Sequence, residues 1–258
     1  MAEFAVLTLN TWKCDGDYPG RLPLIRHGIA ALRPDICLLQ ESFVAGALGW
    51  DTAEHVAETL GYRVAYAPAR DKLRRIDGHP VRSQSGLALL TRGEIVSSRT
   101  VILPDDPEDG ERIAQVAEVT LDGARLLVVN IHLTYLPGRD ALRQEELAVA
   151  LADLPPLTGY AAAAIGGDFN CPPDSAPIRW LMSEPDRAVT DTAAGADFIT
   201  HEASSRRPAQ RIDYIFLVDT GRPPRVLDTK RVLDTPDPAT GLLPSDHYGV
   251  LSRILIEA

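Results

Sequence analysis

Two mixed β-sheets packed face to face, with helices on their outer surfaces, form the fold class this α/β sequence predicts, and three observations lead to it. Apolar runs, each long enough for one buried strand, recur along the chain, and several follow one another with no room for a helix between them, which implies antiparallel pairing. Near the N-terminus a strand, helix, strand unit interrupts this pattern, so the sheets are mixed. The third observation is size. The chain has 258 residues, 45% hydrophobic and 24% charged, and no Gly/Ser linker, repeat or low-complexity stretch divides it. Such a chain can bury a large core as one globular domain, 1–258.

The elements follow in order. Phe4, Val6, Leu7 and Leu9 begin a strand almost at once, and the last strand runs to Ile256. Ile25, Ile29 and Leu32 fall at i, i+4 and i+7, which predicts a helix over 21–32; Pro34-Asp35 then leads into the strand Ile36-Cys37-Leu38-Leu39. Asp51 can cap the N-terminus and Gly61 the C-terminus of a helix over 51–60. Strands over 63–67, 86–91, 96–103, 113–121 and 125–133 make the meanders. A helix over 139–153 carries Leu147, Leu151 and Leu154 on one face and ends at Pro155-Pro156.

Composition narrows the function. A formal net charge of −10 argues against an extended, sequence-independent grip on nucleic acid, although it leaves a phosphodiester substrate open. Positive charge is concentrated in two places. Residues 70–82 carry Arg70, Lys72, Arg74, Arg75 and Arg82 against Asp71 and Asp77, and read equally as a solvated loop or as a segment that holds an anionic substrate. Arg206, Arg207 and Arg211 lead straight into Asp213, where contact with a phosphate is the sharper reading. The acidic stretch 105–111 reads as a solvated loop. Three cysteines cannot all pair and match no zinc spacing; Cys37 reads as core, and Cys171 shows no partner base that would make it a nucleophile. Met1-Ala2-Glu3 lacks the features of a signal peptide, and no run approaches the ~18 apolar residues that span a bilayer, so a soluble cytoplasmic protein is expected.

The chemistry lies in short polar motifs, each at the end of an apolar run. They are Thr8-Leu9-Asn10-Thr11-Trp12, Leu38-Leu39-Gln40-Glu41, Asn130-Ile131-His132-Leu133, Gly166-Gly167-Asp168-Phe169-Asn170, Arg211-Ile212-Asp213-Tyr214-Ile215 and Ser245-Asp246-His247-Tyr248-Gly249. Strand ends gathered at one rim would bring these carboxylates, amides and imidazoles together. Their oxygens suit a hard cation such as Mg²⁺, and two histidines suit proton transfer or phosphate binding. Taken singly, each motif has a plainer reading: Glu41 as an exposed strand-end glutamate, Asn10 and the 166–170 stretch as turns. Asp213 and His247 read best as a pair, in which a carboxylate fixes the imidazole tautomer.

In this order the set resembles the endonuclease/exonuclease/phosphatase superfamily of metal-dependent phosphoesterases, over nearly the whole chain. The resemblance implies a four-layer α-β-β-α sandwich with its site at one edge, and a Mg²⁺ or Mn²⁺ cofactor. It assigns Glu41 as main metal ligand with Asn10 and Asp246 beside it, Asp168 to the attacking water, Asn170 to a phosphate oxygen, and the Asp213–His247 pair to the nucleophile or the phosphate charge. His132 resembles the histidine that deoxyribonuclease-like members place near the leaving oxygen, where abasic-site endonucleases carry tyrosine. Arg112, in Gly110-Glu111-Arg112, matches a recurring phosphate-reaching arginine. The expected activity is hydrolysis of a phosphodiester, nucleic acid first, by in-line attack of water. The alternatives are a phosphatase or phosphodiesterase acting on a small-molecule or lipid phosphate, phosphoinositide or sphingomyelinase-like, and, from another class, an inactive binding module. That last reading would require substitution of Glu41, Asp168, Asp213 or His247, and none is substituted. His27, His55, His79 and His201 match no motif and are expected on the surface or on helices. Trp12, Trp50 and Trp180 are expected to pack, with Trp12 close enough to Asn10 to flank the site.

Overall fold

The computed structural model describes residues 2–184, 188–204, 208–221 and 224–256. In chain order its strands are β1 (Ala2–Asn10), β2 (Ile36–Ala45), β3 (Trp50–Asp51), β4 (Arg63–Ile76), β5 (His79–Thr91), β6 (Glu94–Ile102), β7 (Ile113–Leu121), β8 (Ala124–His132), β9 (Ala162–Asp168), β10 (Val189–Asp191), β11 (Asp213–Val218), β12 (Arg225–Val232) and β13 (Gly249–Ile256). The helices are α1 (Tyr18–Leu32), α2 (Thr52–Leu60), α3 (Asp140–Ala152) and α4 (Ala176–Met182). One sheet runs β12-β13-β1-β2-β5-β4 with β3 paired to β2, and the other runs β10-β11-β9-β8-β7-β6. Among the described residues only β1 with β2 and β8 with β9 pair in parallel; the remaining strand pairs are antiparallel. The mixed four-layer sandwich is therefore as expected.

Strand periodicity explains the layers. Phe4 and Val6 of β1, Ile36 and Leu38 of β2, and Val128 and Ala164 of β8 and β9 meet in one cluster between the sheets. Their alternates turn outward: Leu7, Leu9, Cys37 and Leu39 pack under Ile25 and Ile29 of α1 and Val56 of α2. On the other sheet Val129, Ile131 and Ile165 pack under Leu147 and Leu151 of α3 and Ile178 of α4. Both faces of the central strands are buried, which is why they read as unbroken apolar runs. Asp51 caps α2 by accepting from Glu54 N at 3.0 Å, and Gly61 closes it at φ +69°, as the sequence indicated. Asp17 caps α1, which starts three residues before the predicted boundary.

Two expectations need correction. Residues 70–82 are not a loop: β4 and β5 form a long hairpin arm around a turn at Asp77-Gly78, with φ of +49° and +80°. The 105–111 stretch is not wholly solvated either, because Asp109 is buried. Among the described residues no helix is long and apolar enough to cross a membrane.

Candidate active site

The six motifs meet at one rim. β1, β8 and β9 end there, β11 and β13, antiparallel to β9 and β1, begin there, and β2 passes through it, carrying Glu41 before running on to Ala45. Register sets the side chains next to one another: Asn10 pairs with Gln40, His132 with Asp168, and Asp168 with Asp213. Gly167 allows this packing, since at φ +150° a Cβ on it would stand 2.0 Å from Ile131 O. Buried amides pin the two sheets beneath the rim. Gln40 Nε2 donates to Asn130 Oδ1 at 2.7 Å, and Asn130 Nδ2 donates to Leu39 O at 3.1 Å and Ala88 O at 3.2 Å. Gln40 and Asn130 thus hold the rim in register.

Glu41 owes its direction to a β-bulge. Between the pairs Leu39–Ala88 and Ser42–Gly86, two residues of β2 oppose one of β5, and Glu41 takes φ +51°. A non-glycine residue held there costs on the order of 1 kcal/mol, which surrounding contacts must offset. Its carboxylate meets a cation already, since Lys13 Nζ lies 2.9 Å from Glu41 Oε2 and 2.9 Å from Asp15 Oδ2. Although burial opposes it, Lys13 holds the Glu41 carboxyl below its usual range. Asp246 is pushed up by burial and by the Glu41 charge beside it. Glu41, Asp246 and Asn10 line the same cleft, oxygen donors of the kind a hard divalent ion takes, and the Lys13 ammonium marks where positive charge is favoured.

Arg21 holds the loops that carry these residues. Fully buried, it donates to the carbonyls of Thr11, Trp12, Lys13, Asp15 and Pro244 at 2.7–3.2 Å, and its guanidinium lies 4.7 Å over the Trp12 ring. Trp12 flanks the site, as its distance from Asn10 suggested.

Asp168 Oδ2 is the point of convergence. Asn10 Nδ2 donates to it at 3.0 Å, His132 Nε2 lies 3.4 Å away, and His247 Nε2 lies 3.8 Å away. Asp168 Oδ1 accepts Asn170 N at 2.9 Å, and Asn170 stands at φ +53°. The strand stops at Asp168, and its carboxylate closes a turn onto Asn170. Both still line the cleft.

The two histidines have opposite electrostatics. His132 is pushed down to about 4 by burial and by Arg112, so it is neutral at physiological pH. For His247 burial works the same way, but Asp213 at 2.9 Å from Nδ1 and Asp168 near Nε2 outweigh it and raise the ring to about 10. Asp213 is raised by burial to about 6. The ring holds the proton of the pair, as an imidazolium facing the Asp213 carboxylate. The predicted Asp213–His247 pairing is present, and it leaves a cation beside a neutral imidazole.

The arginines divide. Arg112 lines the cleft, but its Nε and Nη2 are bonded to Asp109 at 2.9 Å and 2.7 Å. Arg211 does not reach the site: it is buried against Asp191, with N–O distances of 3.1 Å and 2.6 Å, and lies 4.7 Å over the Tyr214 ring. Its expected phosphate role is corrected to a structural ion pair that ties β10 to the start of β11. Arg206 and Arg207 lie outside the described residues. On the arm, Arg70, Lys72 and Arg74 face the cleft, whereas Arg82 pairs with Asp71 outside it and Arg75 bonds Gly78 O.

Sequence reasoning missed four residues here. Lys13 and Arg21 carried no motif, Asp109 was hidden in an acidic run, and His201, expected on the surface, packs edge-on against His247 with ring centroids 4.8 Å apart. Cys171 is buried, and burial raises its thiol to about 12, so it is no nucleophile. Asn10, Glu41, His132, Asp168, Asp246 and His247 line one cleft of about 780 Å³, a size that suits a small ligand or the reacting end of a larger one.

Comparison with known proteins agrees with the fold. The family model described as Endonuclease/Exonuclease/phosphatase family matches residues 7–247. An endonuclease/exonuclease/phosphatase protein from Beutenbergia cavernae DSM 12333 superposes with a TM-score of 0.73 at 22% identity, covering 100% of this chain and 72% of that one. The human Nocturnin catalytic domain with bound sulfate gives 0.76 at 20% identity, covering 99% and 94%. D. rerio TDP2, complexed with a single-strand DNA product, gives 0.75 at 17% identity, covering 98% and 99%. At these identities the superpositions speak to the fold. Among curated proteins no match was found.

Proposed function

This chain belongs to the Endonuclease/Exonuclease/phosphatase family, and from that premise we propose that it is a divalent-cation-dependent phosphodiesterase, a nuclease, that hydrolyses its substrate by in-line attack of water. Family members are phosphoesterase hydrolases; the substrate and the cation are the proposal. The observation that carries it is the Asp168 carboxylate, approached by Asn10, His132 and His247 from three different strand ends, with Glu41 in the same cleft.

Glu41, with Asp246 and Asn10, would hold Mg²⁺ or Mn²⁺. When bound there, the cation supplies charge neutralisation at a non-bridging or leaving oxygen of the phosphate. Asp168 orients the attacking water and takes its proton at Oδ2 while the new P–O bond forms and the ester P–O bond breaks. Asn10 keeps that oxygen in place. The His247 imidazolium, held by Asp213, lies on the side where negative charge develops on the phosphoryl oxygens, and Asn170 and neutral His132 add N–H donors. No covalent enzyme intermediate is needed.

A phosphodiester rather than a monoester is supported by the arm, where Lys72 and Arg74 line the cleft while Arg70 is paired with Asp109. The DNA product carried by D. rerio TDP2 supports the same reading by analogy. The runner-up, a small-molecule or lipid phosphate, draws on the net charge of −10. A panel of single- and double-stranded DNA, RNA, nucleotides, phosphoinositides and a generic phosphodiester, assayed with Mg²⁺ and with EDTA, decides between them. Turnover of oligonucleotides that EDTA abolishes is the expected result; full turnover by metal-stripped protein would sink the mechanism.

A further inference from the structure

One donor group in the cleft has a chemistry different from that of the oxygen set around Glu41. His201, Asp246 and His247 each offer a ligand atom, and these atoms lie within 4.8 Å of one another. Two of the three donors are imidazole nitrogens, which suit transition dications far better than Mg²⁺. The site is supported from behind. Asp213 engages His247 Nδ1 at 2.9 Å, which leaves Nε2 as the nitrogen that ligates once the ion displaces its proton to solvent, in a carboxylate–histidine–metal arrangement. Ser245 Oγ donates to Asn10 O at 2.6 Å and accepts His247 N at 3.2 Å, fixing the backbone that carries Asp246 and His247. His201 is set by main-chain bonds, with N to Gln210 O at 3.1 Å and Gln210 N back to His201 O at 3.0 Å. Three protein ligands with a side open to the cleft is the pattern of an accessible site rather than a closed structural one.

We propose that His201, Asp246 and His247 form a second cation site, selective for a borderline transition dication such as Zn²⁺ or Co²⁺ over Mg²⁺, whose occupancy suppresses turnover. Suppression follows from shared residues: the ion takes Nε2 of His247 and a carboxylate oxygen of Asp246 away from the phosphate and from the Glu41 site, and adds positive charge beside them. His201 makes the difference, because without it only one nitrogen remains and the group loses its preference for such ions.

The test is Co²⁺ titration of the whole protein, read by the visible absorption bands of a low-coordinate Co²⁺ complex, which requires no turnover. Wild type is expected to bind one Co²⁺ with these bands. His201→Gln, which keeps the main-chain bonds, is expected to weaken binding by at least about tenfold, and Glu41→Gln to leave it in place. Asp246→Asn provides a second variant, expected to weaken it too, and thermal melts check that each variant is folded. Zn²⁺ well below the Mg²⁺ concentration is expected to inhibit wild type and to spare His201→Gln relative to its own Mg²⁺-supported rate. The site is overturned if wild type gives no such bands, if His201→Gln binds Co²⁺ like wild type, or if Glu41→Gln is the variant that abolishes binding. Loss of phosphodiesterase activity across the substrate panel, with Co²⁺ binding intact, would instead count against the proposed function alone.

Discussion

Glu41 shows how far a single residue's role can be read before its structure is known. Its place at the end of Leu-Leu-Gln made burial of an unpaired carboxylate costly, but only the bulge at φ +51° shows where the carboxylate is aimed. Glu41→Gln is expected to raise the Mg²⁺ concentration for half-maximal activity by about tenfold or more while the protein stays folded. Unfolding with an unchanged Mg²⁺ response would make Glu41 structural. Asp213→Asn and His247→Ala are each expected to cut kcat by on the order of 10²–10⁴, with the double variant little worse than the more damaging single, because bonded groups act as a unit. Strictly multiplicative losses on one substrate would mean that the pair does not work as one. The residues legible in sequence were those whose chemistry would be costly anywhere but a site: Asp168 after two glycines, Asp213 and His247 beside apolar strands. Lys13, Arg21 and His201 were illegible because their roles depend on which loops touch. Arg21 matters through five carbonyls, and nothing in a helical arginine announces them.

Among the elements, the β4–β5 arm was the one most fully misread, and the reason is physical. Its turn, Asp77-Gly78, is the same hairpin signal as Asp122-Gly123 between β7 and β8, and both adopt positive φ at both residues. The β7–β8 hairpin is flanked by apolar residues because its strands are buried; in the arm one face is exposed and the other, where Val81, Ser83 and Ser85 are buried, is mostly polar, so its strands carry no apolar run and resemble a loop. Alternation is present, but in charge. Arg70, Lys72 and Arg74 occupy one face, spaced by about 7 Å per two residues, and Arg74 is braced by Ser83 Oγ at 2.8 Å and by the Phe43 ring at 5.5 Å. Asp71, Leu73 and Arg75 take the other face. Lys72→Ala with Arg74→Ala is therefore expected to raise KM several-fold on an oligonucleotide and to reduce the log–log salt slope by roughly 0.7 per lost single-strand phosphate contact, with little change on a small generic phosphodiester. Arg75→Ala with Arg82→Ala is the control and should leave both values unchanged. If the two double variants behave alike on oligonucleotides, the arm does not hold the substrate and the nuclease reading loses its support.

Across the whole molecule, stability and the site are joined through groups that never touch the phosphate, and pH exposes the link. Glu146 on α3 is fully buried; its Oε2 accepts Thr134 N at 2.9 Å, and its Oε1 has no hydrogen-bond partner among the described residues. Thr134 in turn donates to Asp109 at 2.6 Å, and Asp109 holds Arg112 and Arg70, so the segment that follows β8 ties the helix layer to the cleft wall. Burial raises Glu146 to about 7 from the usual 4.5, with the Asp109 charge adding to the effect and Arg112 and Arg143 opposing it. The sign follows directly. Between about 4.5 and about 7 the folded protein keeps a proton that the unfolded chain has released, so this group's contribution to stability is fully present at the acid end and is lost as pH rises through that window. The loss is on the order of 3 kcal/mol, a large share of a typical domain's margin. Glu146→Gln keeps an oxygen acceptor for Thr134 and removes the titration. Measured by urea unfolding in EDTA at pH 5, 6, 7 and 8, the variant is expected to gain stability relative to wild type as pH rises, by an amount approaching that figure. His132, His247 and Asp213 titrate in both proteins, so their contributions cancel in the difference. Parallel stability curves would show that Glu146 is ionised in the folded protein at neutral pH, and that the contact between α3 and the segment after β8 rests on Arg143, which donates to Thr134 O at 2.9 Å and also bonds Leu136 O at 2.6 Å.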